Sequence, residues 1–369
     1  RRHIPMQPVW VTVTVSPKFC FATSSTSAFN TGRAPAAMPQ VAIAVLALAV
    51  IINHPHFAHS YQIFYGNYRE IMRTGATDPV FRRRYLWSGI VVPAILLAYF
   101  VATVAANSPA MLRFSVSAMM FFVGWHYVKQ GYGMLMVDAA IKRGYFTETA
   151  KKVLLVNAYA CWAASWLVVN HVVAQHNFLG LAYYTFNVPP QAIHAALVVL
   201  GFTSIAALVV MVRHARRHGT AFPVTGLAAY VASLYMWLFM THDPEIGALI
   251  PAFHSVQYLY MVWRYRLNVE AEAPDGALPV EVIGTQLPLN RRNLRFIGYV
   301  LSGTALGFAG FWVLPTMLDQ ALPYDKTALG PNLFLVMVWV FINVHHYFID
   351  TAMWRKENPH TLQHLFSHH

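Results

Sequence analysis

Long apolar runs alternating with short polar connections dominate the sequence. Scanning for stretches of about 20 apolar residues, the length that spans the hydrocarbon core as a helix, gives nine: 36–58, 86–107, 109–137, 151–174, 189–212, 222–241, 245–267, 295–318 and 328–354. The connections alternate in charge. The first carries Arg69, Arg73, Arg82, Arg83 and Arg84, the third Lys142, Arg143, Lys151 and Lys152, and the fifth Arg213, Arg216 and Arg217. The seventh is flanked by Arg264, Arg266, Arg291, Arg292 and Arg295. Connections two, four and six have no Lys or Arg, and the eighth has only Lys326. Because cytoplasmic loops concentrate Lys and Arg, this pattern predicts an all-α, polytopic integral membrane bundle of about nine helices. Its N-terminus is expected outside and its C-terminus in the cytoplasm, in a membrane of the bacterial inner-membrane type.

The ends read differently. Residues 1–37 lack Asp and Glu and show no helical or strand period, so they are expected to be a disordered or non-native extension, with Met38 a candidate start. Residues 38–356 form a single transmembrane domain. Residues 357–369, with His360, His364, His368 and His369, form a polar tail for which disorder is the default.

Composition narrows the class. Of 369 residues 57% are hydrophobic and 11% charged, less than half the charge of an ordinary soluble domain. The net charge of +12 therefore reads as topology and not as a nucleic-acid surface. Two cysteines, Cys20 and Cys161, exclude a disulfide framework or a thiolate-rich metal site. Eighteen histidines stand out, because imidazole is costly in hydrocarbon unless it binds something.

The expected orientation gives each histidine a depth. His54, His56 and His59 lie at the inner end of the first span, His126 past the middle of the third, His254 near the centre of the seventh, and His345 and His346 in the ninth. Four spans of one direction thus present imidazoles at similar depth. His56 and His59 are i, i+3 and share a helix face, and Pro55 loosens the preceding turn and frees carbonyls. Gln130, one turn after His126, is placed to orient that ring. His346 and Asp350 are i, i+4, and adjacent His345 and His346 point about 100° apart, so one ion would take only one of them. Any single histidine could satisfy a backbone carbonyl instead; the coincidence of four argues for a shared metal site. Its candidate ligands are His56, His59, His126, His254, His345 and His346, with Asp350 a further ligand or a partner that fixes a tautomer. Tyr127 and Tyr258 flank the histidine turns and are expected beside the reacting atoms. Neutral imidazoles with one carboxylate and no thiolate suit non-haem Fe(II) best, with haem or another transition metal as alternatives. A second set, His171, His176, His194 and His242, sits at the outer ends of its helices, where hydration alone accounts for imidazoles.

Four patches in order, Pro55-His56, His126-Tyr127, Phe253-His254-Ser255 and His345 with Ile349-Asp350, resemble the bacterial and archaeal Brp/Blh-type membrane β-carotene dioxygenases. The resemblance implies a helical membrane enzyme in which histidine-bound iron and O2 cleave a carotenoid centrally to retinal. It selects His345, five residues before Asp350, as the ligand of the last helix, with His346 as the neighbour toward Asp350. The chain departs from that pattern at Ser60, where the family has an acid, and at Tyr258, where it has a second histidine. These departures bear on substrate and reaction, so an oxygenase acting on another apolar small molecule stays open. Two further readings are a histidine-box desaturase or hydroxylase, and a transporter or metal- or haem-carrying membrane protein without enzymatic activity.

Overall fold

The computed structural model describes residues 47–74, 78–172, 176–183, 186–239, 244–282, 285–355 and 357–366; the 1–37 extension lies outside them. Thirteen α-helices are described: α1 His54–Thr74, α2 Pro79–Leu86, α3 Val92–Ala105, α4 Pro109–Ile141, α5 Glu148–Val172, α6 Pro190–His218, α7 Val224–Phe239, α8 Pro244–Ala271, α9 Arg291–Phe308, α10 Leu314–Ala321, α11 Lys326–Leu329, α12 Leu333–Met353 and α13 Pro359–Phe366. Two antiparallel hairpins interrupt them, β1 His176–Phe178 with β2 Leu181–Tyr183 and β3 Pro279–Val282 with β4 Thr285–Asn290.

Proline shapes three of these helices in the same way. Single π turns at Ala49–Asn53, Trp87–Val91 and Ala309–Val313 lead into α1, α3 and α10, each closed by an N–H five residues after its acceptor carbonyl. The next residue is Pro55, Pro93 or Pro315. A proline ring has no N–H and crowds the carbonyl four residues back; widening the preceding turn by one residue keeps the helix continuous. The result is one long rod in each case, such as Pro79–Ala105.

Among the described residues, five helical segments are long and apolar enough to cross a membrane: Pro79–Ala105, Glu148–His171, Pro190–Ala221, Arg291–Ala321 and Leu333–Met353; Val224–Leu238 is apolar but shorter. This is fewer than the nine expected from the sequence. The long helices α4 and α8 fall outside the set because histidine, glutamine and charged residues interrupt their apolar sequence, and residues 36–46 of the first expected span lie outside the described residues. The apolar spans show large side chains outward, with Phe202 71% and Leu301 63% exposed, as lipid-facing helices do.

Two apolar cores flank the centre. In one, Leu135 of α4, Leu154 and Cys161 of α5, Met211 of α6 and Leu234 of α7 pack together; in the other, Phe64 of α1, Tyr85 of α2, Val262 of α8 and Met353 of α12 do so. Helices α1, α4, α8 and α12 meet between them. The first helix continues well beyond the residue-58 boundary read from the sequence, since α1 runs to Thr74 as an amphipathic rod. The C-terminal segment also differs from the disordered tail expected. Helix α13 packs on α8, with Thr361 and Leu365 buried, and Asn268 Nδ2 donates to the His364 carbonyl at 2.6 Å. In the 272–290 connection, Arg295 and Arg291 beside Asp275 hold its carboxyl below the usual carboxylate range.

Candidate metal centre

Four imidazoles and one carboxylate converge where α1, α4, α8 and α12 meet. His56, His126, His254 and His346 are buried, and Asp350 is 9% exposed. His56 Nε2 lies 3.1 Å from His346 Nε2. His346 Nε2 in turn lies 3.2 Å from Asp350 Oδ2, and His126 Nε2 lies 3.7 Å from the same oxygen. The His254 ring stands edge-on to His56 and His126, with centroids 5.2 and 4.9 Å away. Two overlapping sets result, His56/His254/His346 and His126/His346/Asp350, in each of which the ligand atoms lie within 4.8 Å of one another. His346 belongs to both.

Local structure sets the ring of His56. The Asn53 carbonyl, in the π turn before Pro55, accepts from His56 Nδ1 at 2.8 Å, and Ser255 Oγ lies 3.0 Å from the same nitrogen. With its proton on Nδ1, the ring turns an Nε2 lone pair toward His346, the arrangement that prepares an imidazole to ligate. The turn before Pro55 is widened, as the sequence reading of a loosened turn expected, and the Asn53 carbonyl at its end orients the His56 ring. Aromatic faces fix two other rings: Tyr127 stacks on His254 with centroids 3.8 Å apart, and Tyr347 stacks on His126 at 4.6 Å. Gln130 Nε2 donates to the His254 carbonyl at 2.8 Å, so it braces α8 against α4 and does not orient the His126 ring.

Asp350 is held from its other oxygen. The Tyr258 hydroxyl donates to Oδ1 at 2.8 Å, Ser60 Oγ lies 2.6 Å from that hydroxyl, and Trp354 Nε1 donates to it at 3.2 Å. Ser60 and Tyr258, the two departures from the Brp/Blh-type pattern, therefore touch each other behind the carboxylate. Tyr258→Phe is expected to leave the fold intact and weaken metal binding by roughly 10–100-fold, the usual effect of losing a ligand's hydrogen-bond partner; competition with a chelator measures it. An unchanged affinity would mean that Asp350 is positioned without the tyrosine.

The structure corrects two expected ligands. His345 turns away from the cluster: its Nε2 donates to the Ser88 carbonyl at 2.8 Å and its Nδ1 faces the Tyr61 hydroxyl at 2.9 Å. Successive residues on a helix diverge by about 100°, so with His346 on the Asp350 face, His345 faces α1 and the π turn before α3. His59, expected to chelate with His56, packs instead against α9. It stacks on Tyr299 at 4.3 Å, and Nδ1 lies 2.8 Å from Gln62 Oε1. Three residues along a helix still rotate by about 60°, enough on a crowded helix to put one ring toward α8 and α12 and the other toward α9.

Of the outer set, His194 and His171 are exposed and His171 Nδ1 lies 3.0 Å from the Val188 carbonyl. The side chains of His176 and His242 lie outside the described residues. Among the described residues, the outer histidines enter no metal-competent group.

No family model, curated protein or solved structure matches the chain. The site must therefore be read from its own chemistry. His126 Nε2, both nitrogens of His254 and His346 Nδ1 are buried without a hydrogen-bond partner. Orphaned polar atoms of this kind are costly in a dry interior. The 3.1 Å separation of the His56 and His346 nitrogens is close to the roughly 3.0–3.4 Å between neighbouring ligands on an ion with bonds of about 2.1 Å. The donor set contains no thiolate. These buried His and Asp groups fit a transition-metal ion.

Proposed function

We propose that the protein is a membrane-embedded non-haem iron oxygenase acting with O2 on an apolar, lipid-soluble substrate. The observation that carries this reading is the convergence of four buried imidazoles and Asp350, with three ring nitrogens of His126 and His254 left unpartnered. His56, His126, His254, His346 and Asp350 would hold the ion, and iron bound there would supply the activation of O2. The chain's own residues orient and exclude. Asn53 and Ser255 set the His56 ring, Tyr258 sets the carboxylate, and the rings of Phe57, Tyr127 and Tyr347 pack against the histidines. A dry, shaped surround of this kind is what a protein contributes to a catalytic metal.

Carotenoid cleavage to retinal is the substrate reading favoured by the order of the four sequence patches. The alternatives receive less support. The His56 and His346 nitrogens, 3.1 Å apart, suit neighbouring ligands of a single ion better than a haem. A desaturase-type box would use His345 and His346 together, and His345 is engaged with Ser88 and Tyr61. The orientation that the loop charges imply, with the Arg-rich connections cytoplasmic, and a bacterial inner membrane complete the proposal.

Elemental analysis of the purified protein should find iron, with an optical spectrum free of haem bands. His126→Ala and His254→Ala should each lose most of the metal, because removing one ligand weakens the whole chelate, while His194→Ala should keep it. Equal metal content in all three variants would sink the shared site. Loss of β-carotene colour in cells that co-express the protein tests the substrate; retained colour with iron in place would point to another lipid.

A further inference from the structure

The rod Pro79–Ala105 opens with Arg82, Arg83 and Arg84 in succession, all exposed. Phe81 and Tyr85, one turn apart, bury the face that α2 turns to α1, where Tyr85 stacks on Phe64 at 4.6 Å. Successive side chains diverge by about 100°, so the three arginines take the remaining faces. Just beyond them Leu86, Trp87 and Ile90 are large, apolar and exposed, which sets the arginines where hydrocarbon gives way to head groups. Arg69 and Arg73, four apart on the adjoining end of α1, are exposed as well.

Protein carboxylates do not balance these charges. Among the described residues none of the five arginines enters an ion pair. The acids nearest in sequence are engaged elsewhere: Asp78 accepts from the Val80 N–H at 2.8 Å as the cap of α2, and Glu70 faces His360 at 3.5 Å. The fold brings up a sixth arginine. Asn358 Nδ2 donates to the Tyr85 hydroxyl at 3.0 Å and to the Met353 carbonyl at 2.8 Å, which holds the segment after α12 against α2. Arg355, half-buried in that segment, donates from Nε to the Thr351 carbonyl at 2.8 Å; its two terminal nitrogens bond to no described residue. Burial and the charge of Arg84 together hold the Arg355 guanidinium below its usual range, and Glu357 offsets part of this. Two cations on different helices are thus within electrostatic reach of each other. A phosphate between them would relieve the repulsion and accept from both guanidinium groups.

We propose that Arg84 and Arg355 form a binding site for the phosphate of an anionic phospholipid, whose chains lie along Trp87 and Ile90. Arg69, Arg73, Arg82 and Arg83 keep the surroundings positive. The bound head group joins α2 to the end of α12, the helix that carries His346 and Asp350. The site stands whether or not the metal centre is loaded.

The test is photolabelling of the full chain in phosphatidylcholine vesicles that hold a trace of phosphatidylglycerol with a diazirine beside its phosphate. Label is expected on Arg84, Trp87 or Arg355. Unlabelled phosphatidylglycerol should displace it, and inorganic phosphate should not. Arg84→Gln and Arg355→Gln should each lower the label about fivefold, the worth of one arginine at a membrane surface. Arg84→Lys, which keeps the charge, should restore most of it. Arg216→Gln, at an exposed position on another basic connection, should leave it unchanged. Because Arg355 also bonds to Thr351, melting temperatures in phosphatidylcholine alone identify a variant that fails to fold; the exposed Arg84 then decides the result. Equal loss in Arg216→Gln would show a general surface potential and overturn the site. Label that ignores Arg84→Gln would place the head group elsewhere, and displacement by inorganic phosphate would make this a site for free anions; either result overturns the proposal.

Discussion

His346→Ala is expected to empty the metal centre, whereas His345→Ala, one residue away, should leave it loaded. His346 is the one residue common to both metal-competent sets, and its Nε2 faces His56 and Asp350 together. Its loss therefore breaks both sets at once, leaving His126 as the imidazole beside the carboxylate, and should cost more than the roughly 10–100-fold in affinity that follows loss of an outer hydrogen-bond partner. His345 instead ties α12 to Tyr61 of α1 and to the Ser88 carbonyl. Truncating it leaves a cavity and unpaired polar groups, at a cost of about 2–4 kcal/mol in stability, while the donor set survives. Iron content and thermal melting of the two variants separate the roles. The reverse outcome would place His345 at the ion and the Asp350 face elsewhere.

Gly307→Leu should disrupt the protein more than most single changes, although α9 contributes no ligand. Gly303 and Gly307 are four apart on the face that α9 turns to α1, a spacing that lets membrane helices pack closely. A Cβ at Gly307 would lie 2.7 Å from the His54 carbonyl carbon, and one at Gly303 would collide with the His59 ring. At Gly307 the obstacle is backbone next to the turn that orients His56, so relief requires α1 to move as a body. A leucine there is expected to cost about 3 kcal/mol or more and to lower iron content with it. Gly298→Ala on the same helix, where a Cβ would meet nothing within 4 Å, should be neutral or up to about 1 kcal/mol stabilising through helix propensity. Similar melting temperatures for Gly307→Leu and Gly298→Ala would show that the α1 contact is dispensable. The Gly303/Gly307 pair was open to the sequence reading as a small-residue motif, and its position opposite His54 and His59 is what gives it meaning.

Periodicity and cost arguments along the chain were enough for a helical membrane protein and for the histidines worth watching. An apolar run long enough to span the bilayer has few other uses, and a buried imidazole needs a partner wherever the helix goes. On these grounds His56, His126, His254 and Asp350 were legible before any coordinates, as was the loosened turn at Pro55. Rotation about each helix axis was not legible, because it depends on which neighbours a helix packs against. Between adjacent His345 and His346 a turn of about 100° separates ligand from structural tie, and between His56 and His59 about 60° separates the metal centre from the α9 interface. The docking of α13 also escaped the sequence. Tertiary contacts set that outcome: α13 covers α8 through buried Thr361, His364 and Leu365 and a few polar bonds. Sequence by itself determined which groups had to be satisfied; the packing of α1, α4, α8 and α12 decided which of them meet, since only close helix contact fixes the direction in which a side chain points.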